Sequence, residues 1–319
     1  MTQTHSLDEI VSIARRIERG ISSVIEGKDE QIRTALVVLL AGGHLLIEDV
    51  PGVGKTMLAK ALGRAIAGRV RRIQFTPDLL PSDVTGVSVF NQETRQFEFK
   101  PGGIFANIVV GDEINRASPK TQSALLEAMA EHQVSVDGNT YRLKSPFMVL
   151  ATQNPIEMEG TFPLPEAQRD RFMARIEMGY PAKASEIAML DHHGQHDPLA
   201  DLSPVTDADT VAVLIQAVRQ IYVAPSVRDY IVSVVSQTRQ APSLRLGASP
   251  RASLHLMAAS RALAALNDRD YVIPDDVAEL AVPVLAHRVL ASMDAQLARR
   301  SPESLIAGLT RQVPVPDRA

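Results

Sequence analysis

One stretch near the N-terminus, Leu45–Lys60, constrains the fold of this chain more than any other feature. Its sequence, LLIEDVPGVGKTMLAK, joins an apolar run typical of a buried strand to a loop with two glycines and then to a helical pattern. A strand, a glycine-bearing loop and Gly-Lys-Thr at the start of a helix form the pattern of a phosphate-binding loop, or P-loop. The glycines let backbone N–H groups converge on a phosphate, and the helix N-terminus adds a partial positive charge.

We expect nucleotide phosphates to contact the loop and the first turn of the helix that follows it. Lys55 is placed to reach the β- and γ-phosphates, and the Thr56 hydroxyl is placed to bind Mg²⁺. The candidate nucleotide-binding residues are Pro51, Gly52, Val53, Gly54, Lys55, Thr56 and Met57. One residue departs from the general pattern, because Asp49 stands where that pattern has its first glycine.

A second group of candidate residues follows two later apolar runs. Asp112 and Glu113 come directly after Ile108–Gly111, and Asn154 comes shortly after Phe147–Ala151. Ligands of open α/β sheets bind at the carboxyl ends of the strands, so we expect all three side chains beside the P-loop. Asp112 fits a carboxylate that holds Mg²⁺, Glu113 can accept a proton from an attacking water, and Asn154 can orient that water. Without this context Asn154 would be interpreted as an Asx-turn residue before a proline.

The order of strand and helix patterns predicts two parts. Strands alternate with helices over residues 1–181, which predicts an α/β core with a parallel sheet and helices on both faces. Two hairpins are predicted inside it, at 87–99 and 133–143, the second turning at Asp-Gly. Strand patterns stop near Pro181, so residues 182–319 are predicted to form an all-helical lid domain. Its helical segments are predicted near 183–192, 206–219, 226–238, 250–266, 274–290 and 303–310.

Composition excludes several classes of protein. The chain has no cysteine, which excludes disulfides and thiolate metal sites. Lys and Arg number 33 against 37 Asp and Glu, so there is no basic excess of the kind that marks many nucleic-acid-binding proteins. The polar N-terminus lacks a signal-peptide apolar region. The longest apolar stretch, 34–47, is broken by glycines and is too short to span a bilayer, so we expect a soluble, cytoplasmic protein.

Three other clusters are predicted to play no part in the site. His192, His193 and His196 lie in DHHGQHDP, where glycine and proline favour a loop. Because such tracts specify a metal site only weakly, we expect a solvated loop there. Exposed faces are predicted for the pairs Arg15-Arg16 and Arg71-Arg72.

Four motifs, taken in their order and spacing, resemble one known family. They are Gly52–Thr56, Asp112-Glu113 in GDEINRA, Asn154 in ATQNP, and EGTFPLPEAQRDRF at 159–172. Together they resemble the MoxR family of AAA+ ATPases across roughly residues 24–289, and the loop EDVPGVGKT also looks like that family's own. The resemblance implies an AAA+ core with a helical lid. It also implies that the hairpin at 87–99 is the helix-2 insert of the wider clade and that the hairpin at 133–143 is its pre-sensor-1 hairpin.

The resemblance implies further site residues. Asn154 resembles sensor 1, Arg251 in GASPRAS resembles sensor 2, and Arg171 in RDRF resembles an arginine finger that reaches a neighbour's γ-phosphate. A guanidinium suits that role because its planar fork of donors matches phosphoryl oxygens. Arg169 and Arg175 stay open as alternative fingers. A finger that acts on a neighbour requires a ring, so the resemblance implies a homo-oligomer, most commonly a hexamer.

By the same resemblance, the expected function is Mg-ATP hydrolysis by a chaperone-like remodeller of a protein client, commonly one with a von Willebrand factor A domain. A nucleic-acid-dependent motor and a magnesium-chelatase-like ATPase subunit stay open as alternatives. Such motors track a nucleic-acid backbone with positive groups. Here the predicted hairpin turns, Asn91–Thr94 and Asp137–Asn139, are neutral to acidic, which disfavours nucleic acid. A scaffold that binds nucleotide without turnover is disfavoured by the intact acidic pair Asp112 and Glu113.

Overall fold

The structure, a computed structural model, describes residues 7–50, 52–154, 160–184, 186–187 and 198–316. Pro51 and the three histidines of DHHGQHDP therefore lie outside the described residues. The strands are β1 (Leu45–Glu48), β2 (Val70–Gln74), β3 (Gly86–Asn91), β4 (Gln96–Pro101), β5 (Ile108–Asp112), β6 (Gln133–Val136), β7 (Asn139–Arg142), β8 (Met148–Gln153), β9 (Ala174–Ile176), β10 (Leu244–Leu246) and β11 (Leu290–Ala291).

The helices alternate with these strands in the first part of the chain and dominate the second. In the first part they are α1 (Leu7–Ser22), α2 (Asp29–Leu40), α3 (Lys55–Ala65), α4 (Pro81–Thr85), α5 (Pro119–Glu131) and α6 (Glu166–Arg169). In the second part they are α7 (Pro198–Asp201), α8 (Ala208–Val218), α9 (Pro225–Gln240), α10 (Pro250–Leu266), α11 (Pro274–Leu285), α12 (Met293–Leu297) and α13 (Pro302–Gln312). Short 3₁₀ turns cover Ile114–Arg116 and Ala286–Arg288.

A five-stranded parallel sheet forms the centre of the first part, in the order β2-β5-β8-β1-β9. All its strands point the same way, so the residues that follow β1, β5 and β8 meet at one edge of the sheet. The residues that precede β1, β8 and β9 meet at the opposite edge. The prediction of a parallel α/β core is confirmed.

Alternate residues of the central strands point to opposite faces of the sheet, because side chains in a strand have a period of two. In β1, Leu45 and Ile47 pack with α1, α2, α3 and the helices of the second part, whereas Leu46 packs on the other face. In β5, Val110 joins the first cluster and Val109 the second. Since both faces are covered, the strands read in the sequence as continuous apolar runs.

Both predicted hairpins form. The first pairs β3 with β4 and the second pairs β6 with β7, each antiparallel. The second turns through Asp137 and Gly138, both with positive φ, as expected for a two-residue Asp-Gly turn. Phe99 of the first hairpin stacks on Tyr141 of the second at 3.8 Å between ring centroids, so the two hairpins form one unit.

The second part is a helical lid, as predicted, with one correction. A small antiparallel pair, β10 with β11, crosses it, although an all-helical domain was expected. The helix predicted to reach residue 290 ends at Leu285, two residues beyond Pro283, and a 3₁₀ turn leads into β11. Strands of two and three residues are too short to show a period-two pattern. The predicted segment 183–192 lies mostly outside the described residues.

The stretch before the first hairpin also contains regular structure. It contains the short helix α4, whose first turn is capped when Asp83 Oδ2 accepts the Leu80 N–H at 2.9 Å. Five residues are too few for a helical period to appear in a sequence. The short helix packs against α5 and leads directly into β3.

Candidate functional site

The P-loop follows β1 and leads into α3. Gly52 and Gly54 have φ of 87° and 89°, a left-handed conformation that favours glycine. A Cβ at either glycine would meet nothing within 4 Å, so backbone conformation rather than space selects glycine here. Gly54 is also the N-cap of α3, and the unpaired N–H groups of that helix therefore begin at the loop. Val53 packs against the core and fixes the loop to it.

Lys55 lies among three carboxylates. Its Nζ donates a hydrogen bond to the backbone oxygen of Asp49 at 2.9 Å. Burial lowers the pKa of Lys55, while the charges of Asp49, Asp112 and Glu113 act to raise it. The ammonium is thus held by a backbone oxygen and stabilised by the charges of nearby carboxylates, at the position where the P-loop pattern places phosphates. Thr56 and Met57 are half-buried in the first turn of α3, beside it.

The structure brings Asp112 and Glu113 together through a residue that was not singled out in the sequence. The Thr152 hydroxyl donates to Asp112 Oδ1 at 2.6 Å and accepts the Glu113 N–H at 3.0 Å. Glu113 needs this support because its φ of 56° is left-handed for a non-glycine residue. Thr152 is buried at the end of β8, two residues before Asn154. Side chains alternate along a strand, so residues two apart lie on the same face. The position of Thr152 two residues before Asn154 in ATQNP was therefore the sequence signal that could have identified Thr152 as part of the site.

Side chains of β2 also contact the two acids, so Arg71 and Arg72 are exposed, as predicted, but Arg72 takes part in the site as well. Arg72 is exposed, yet it donates to Asp112 Oδ2 from two guanidinium nitrogens, at 2.5 and 3.1 Å. Gln74 donates to Glu113 Oε2 at 3.0 Å. Arg116 lies 3.3 Å from the same Glu113 oxygen. The register of β2 against β5 produces these contacts, and register cannot be read from β2 by itself.

Asn154 is buried, 7% exposed, at the same edge of the sheet. The preceding residue, Gln153, pairs with Glu48, and its backbone oxygen accepts the Asp49 N–H at 3.1 Å. This pairing fixes Asn154 beside the start of the P-loop. The hydroxyl of Thr56 and the carboxylate of Asp112 supply hard oxygen ligands, the type that Mg²⁺ takes together with phosphates and water. These residues fit a magnesium ion bound with nucleotide.

Arg171 and Arg251 lie together, at the opposite edge of the sheet from the P-loop. They line a cavity of about 430 Å³ that also contains Arg219 and Arg261. His44, directly before β1, and Met173, directly before β9, line the same cavity. The four-residue strand β1 separates this cavity from the P-loop by roughly 13 Å. Neither arginine therefore lies beside this chain's own P-loop.

A buried ion pair joins the core to the lid behind this cavity. Asp170 accepts a hydrogen bond from Arg288 at 2.6 Å and hydrogen bonds from the Ser249 hydroxyl at 2.9 and 3.0 Å. Arg251 lies 3.7 Å from the same carboxylate. Burial lowers the pKa of Arg288 to about 10, although Asp170 acts to raise it. This network fixes Arg251 of α10 relative to the core segment that carries Arg171.

The two alternative finger residues have different surroundings. Arg175 on β9 pairs with Glu48 at 2.5 Å, with Glu177 at 3.2 Å and with Glu303 of the lid. Arg169 lies 3.9 Å from Glu48. Both guanidiniums thus contact carboxylates of the same chain, near the end of β1 that leads to the P-loop. Of the three arginines, Arg171 is the one that lines the cavity.

Comparison with sequence families agrees with this arrangement. A family profile described as "ATPase family associated with various cellular activities (AAA)" matches residues 44–174, and a profile described as "AAA lid domain" matches residues 236–308. The first match spans the sheet from His44 to β9, and the second covers most of the lid helices. The sheet order, the P-loop after β1 and the acidic pair after β5 therefore define an AAA ATPase.

Comparison with individual proteins narrows this class. The chain is 41% identical to Chaperone MoxR1 of Mycobacterium tuberculosis over 98% of its own length and 83% of that protein's. It is 50% identical to the uncharacterized protein YeaC of Bacillus subtilis, over 93% of its own length and 92% of that protein's. The crystal structure of a candidate ATPase from Cytophaga hutchinsonii matches with a TM-score of 0.90 at 36% identity, covering 98% and 97% of the two chains. The chain belongs to the MoxR family of AAA ATPases.

Proposed function

We propose that this chain hydrolyses ATP with Mg²⁺ as a homo-oligomeric ring, most simply a hexamer, and uses the cycle to remodel a protein client. Membership of an AAA ATPase family supports nucleotide hydrolysis. The contacts of the candidate site support the same reaction, because they gather a lysine, two acids and a buried amide at one edge of the sheet. The arginine cavity at the other edge supports assembly.

Each residue of the site has a chemical role in this proposal. The loop N–H groups and Lys55 bind the β- and γ-phosphates, and Thr56 and Asp112 hold Mg²⁺, which neutralises charge on the phosphates. Glu113 accepts the proton of the attacking water, and Asn154 orients that water. Gln74 donates to one oxygen of the Glu113 carboxylate, Oε2, so we assign the proton of the water to the other oxygen, Oε1.

The position of the arginine cavity is the observation that carries the ring mechanism. Arg171 and Arg251 line one cavity, and β1 lies between that cavity and the P-loop of the same chain. A guanidinium at that edge of the sheet can stabilise a γ-phosphate only if the phosphate belongs to another subunit. We infer that both arginines act on the nucleotide of a neighbour, where such a finger is worth about 10³–10⁵ in rate.

The charges at the two edges of the sheet are complementary. Four arginines line the cavity at one edge, whereas the phosphates of a bound nucleotide would supply negative charge at the other, where Lys55, Arg72 and Arg116 balance Asp49, Asp112 and Glu113. An arrangement in which one subunit's cavity faces the next subunit's P-loop pairs opposite charges. Such a head-to-tail contact is heterologous, and it closes into a ring when the rotation between subunits permits.

A protein client is supported by the exposed aromatic surface of the first hairpin. Phe90 and Phe97 are 49% and 73% exposed and contact each other edge to face at 5.3 Å. MoxR1, which shares 41% identity with this chain, is named a chaperone, and we extend that role here. We propose an apolar segment of a client, for example a von Willebrand factor A domain protein, as the ligand of this hairpin. ATPase stimulation by single-stranded nucleic acid with a steep salt dependence would favour a motor instead.

The lid is the element through which turnover would move the hairpins. We infer that the core and the lid divide near Pro181 and that the γ-phosphate biases their relative orientation. The Asp170–Arg288 ion pair supports transmission between them, because it joins the segment of Arg171 to the lid. A magnesium-chelatase-like role would use the same cycle on a different partner and differs in the client alone.

The proposal is tested by mixing two inactive variants. Arg171→Ala removes the proposed finger, and Glu113→Gln removes the proposed base while leaving a neutral side chain of the same size. Each variant alone is expected to lose at least about 10²-fold in turnover, the range typical of a general base. In a mixture, an Arg171→Ala subunit keeps an intact Glu113, and a neighbouring Glu113→Gln subunit can supply an intact Arg171 to that site. Part of the activity should therefore return.

The control is Arg245→Ala, an exposed arginine of β10 in the lid that does not line the arginine cavity and is not part of the P-loop. Its specific activity should equal that of the unmodified chain at every protein concentration. Specific activity of the unmodified chain should rise with concentration as rings form. A flat concentration profile, together with full activity of Arg171→Ala, would mean that each subunit contains a complete site.

A further inference from the structure

Asp49 occupies a place where the general P-loop pattern has glycine, and its backbone does not use the freedom that glycine provides. Gly52 and Gly54 are the described loop residues with positive φ, and Asp49 does not share that conformation. A carboxylate beside bound phosphates is electrostatically unfavourable. Its presence therefore calls for an interaction that glycine could not make.

The structure shows that interaction. Asp49 is 9% exposed, and each of its carboxylate oxygens accepts one backbone N–H. Oδ1 accepts from Val50 at 2.7 Å, and Oδ2 accepts from Gly179 at 2.6 Å. The first bond is local, but the second joins the P-loop to the segment that follows β9. Bonds of backbone N–H to an ionised carboxylate are short and strong relative to neutral ones.

The segment held in this way, residues 177–181, leads from the sheet to the lid. It is tied a second time, because Lys28 Nζ donates to the Tyr180 backbone oxygen at 3.0 Å. On the other side of Asp49, its own backbone oxygen accepts the hydrogen bond of Lys55 Nζ at 2.9 Å. Asp49 thus contacts the phosphate-binding lysine through its main chain and the segment before the lid through its side chain.

We propose that Asp49 is a positioning residue that couples nucleotide binding to the orientation of the lid. Lys55 has to leave the Asp49 backbone oxygen to meet a phosphate, and the loop shifts when it does. The Asp49 carboxylate carries that shift to Gly179 and so to the start of the lid. This inference rests on the proposed ATPase function and assigns a role to a residue outside the reacting atoms.

Three variants and two readouts test the coupling. Asp49→Gly restores the general P-loop pattern but removes the bond to Gly179, and Lys28→Ala removes the second tie without touching the loop. Arg19→Ala is the matched control, since Arg19 is an exposed cation of the core whose side chain bonds the Arg15 backbone oxygen of its own helix α1. The readouts are steady-state ATPase kinetics and a distance between core and lid. Because the chain has no cysteine, Lys60→Cys and Asp294→Cys, both at exposed positions, can carry spin labels cleanly.

We expect the KM for ATP of Asp49→Gly to stay within about threefold of the parental value. Its kcat should fall roughly tenfold, a usual size for coupling between sites. The change in core–lid distance on addition of the non-hydrolysable analogue AMP-PNP with Mg²⁺ should shrink in Asp49→Gly. It should shrink by a smaller amount in Lys28→Ala and stay unchanged in Arg19→Ala. The alternative is that Asp49 is only a tolerated substitute for glycine and has no role in coupling. In that case Asp49→Gly should leave turnover unchanged or improve it.

Parental kcat and a parental distance change in Asp49→Gly would overturn the inference. Should that variant fail to fold, as judged by its thermal unfolding, Lys28→Ala decides, and a parental distance response there would overturn it. Failure of the proposed function is a different outcome, because the unmodified chain would then show no ATPase activity at any concentration.

Discussion

The Thr152 hydroxyl holds both acids of the candidate site, and its role can be tested at the scale of a single atom. Thr152→Val keeps the shape of the side chain but removes the bonds to Asp112 and to the Glu113 N–H. Because supporting residues of this kind typically contribute 10–100-fold, we expect kcat for ATP to fall by about that factor. Thr152→Ser restores the hydroxyl and should recover most of the rate. Equal kcat in the valine and serine variants would exclude this positioning role.

His44 links stability to pH at the same scale. Its Nδ1 accepts the Val149 N–H at 3.1 Å, so Nε2 carries the proton and donates to the Met129 oxygen, also at 3.1 Å. The ring is therefore neutral, and burial, with a smaller contribution from His132, lowers its pKa from 6.5 to about 4. The unfolded chain binds a proton at this residue more readily than the folded chain does. Stability from His44 is thus present above about pH 6.5 and is lost as pH falls toward 4.

We expect the free energy of unfolding, measured by urea denaturation at several pH values, to decline through this window. His44 accounts for up to about 3 kcal/mol of that decline, since one pKa unit is about 1.4 kcal/mol. His44→Gln keeps a donor and an acceptor but does not titrate, so its curve should be flatter than the parental one. Parallel curves for the two proteins would contradict the assignment. The half-buried His255 and the buried His287 titrate in both proteins, and the His44 charge contributes little to the lowered pKa of His255, so the difference between the curves reports mainly His44.

At the scale of elements, the lid helix α11 depends on one buried capping residue. Asp276 accepts the Ile273 N–H at 2.9 Å and a forked pair of bonds from Arg269 at 2.5 and 2.7 Å. It is 2% exposed. Asp276→Ala removes the cap and leaves the Arg269 charge without its partner, so we expect a loss of about 3–5 kcal/mol in the free energy of unfolding.

The neighbouring Asp275 provides the control, because it is an exposed aspartate in the same helical turn. Asp275→Ala should change the unfolding free energy by no more than about 0.5–1 kcal/mol, the size of a helix-dipole contribution. Urea denaturation followed by circular dichroism measures both variants. Similar losses in the two variants would show that the cap at Asp276 is not the element that starts this helix.

At the scale of the whole molecule, the complementary edges of the sheet predict that assembly depends on salt. Attraction between the arginine cavity and the nucleotide phosphates at the P-loop edge of a neighbour is screened as ionic strength rises, with a Debye length of about 10 Å at 0.1 M and about 3 Å at 1 M. We expect the oligomer mass, measured by light scattering, and the specific ATPase activity to fall together as salt increases. Arg219→Glu reverses one charge of the cavity and should weaken assembly even at low salt. A mass that is independent of salt and of this substitution would contradict a charge-guided contact.

The whole molecule also shows that no described helix is long and apolar enough to cross a membrane. This agrees with the interruption of the apolar stretch 34–47 by glycines. The finding concerns the part of the chain that the structure describes.

Local patterns in the sequence determined the P-loop, the acids after β5, both hairpins and most lid helices. These features depend on neighbours along the chain: glycines with positive φ, period-two strands, an Asp-Gly turn and proline at helix starts. Tertiary structure decided the rest, since it depends on which strands lie side by side. The register of β2, β5 and β8 brought Arg72, Gln74 and Thr152 onto the acids.

The return of the chain after β9 joined Asp49 to Gly179, residues that are 130 positions apart along the chain. The direction of the sheet separated Arg171 and Arg251 from the P-loop of their own chain. A sequence motif can indicate that an arginine is a candidate finger. The edge of the sheet on which that arginine lies is decided by packing. The reason is physical: a motif is encoded by adjacent residues, whereas a site is formed by residues that only the folded sheet brings within reach of each other.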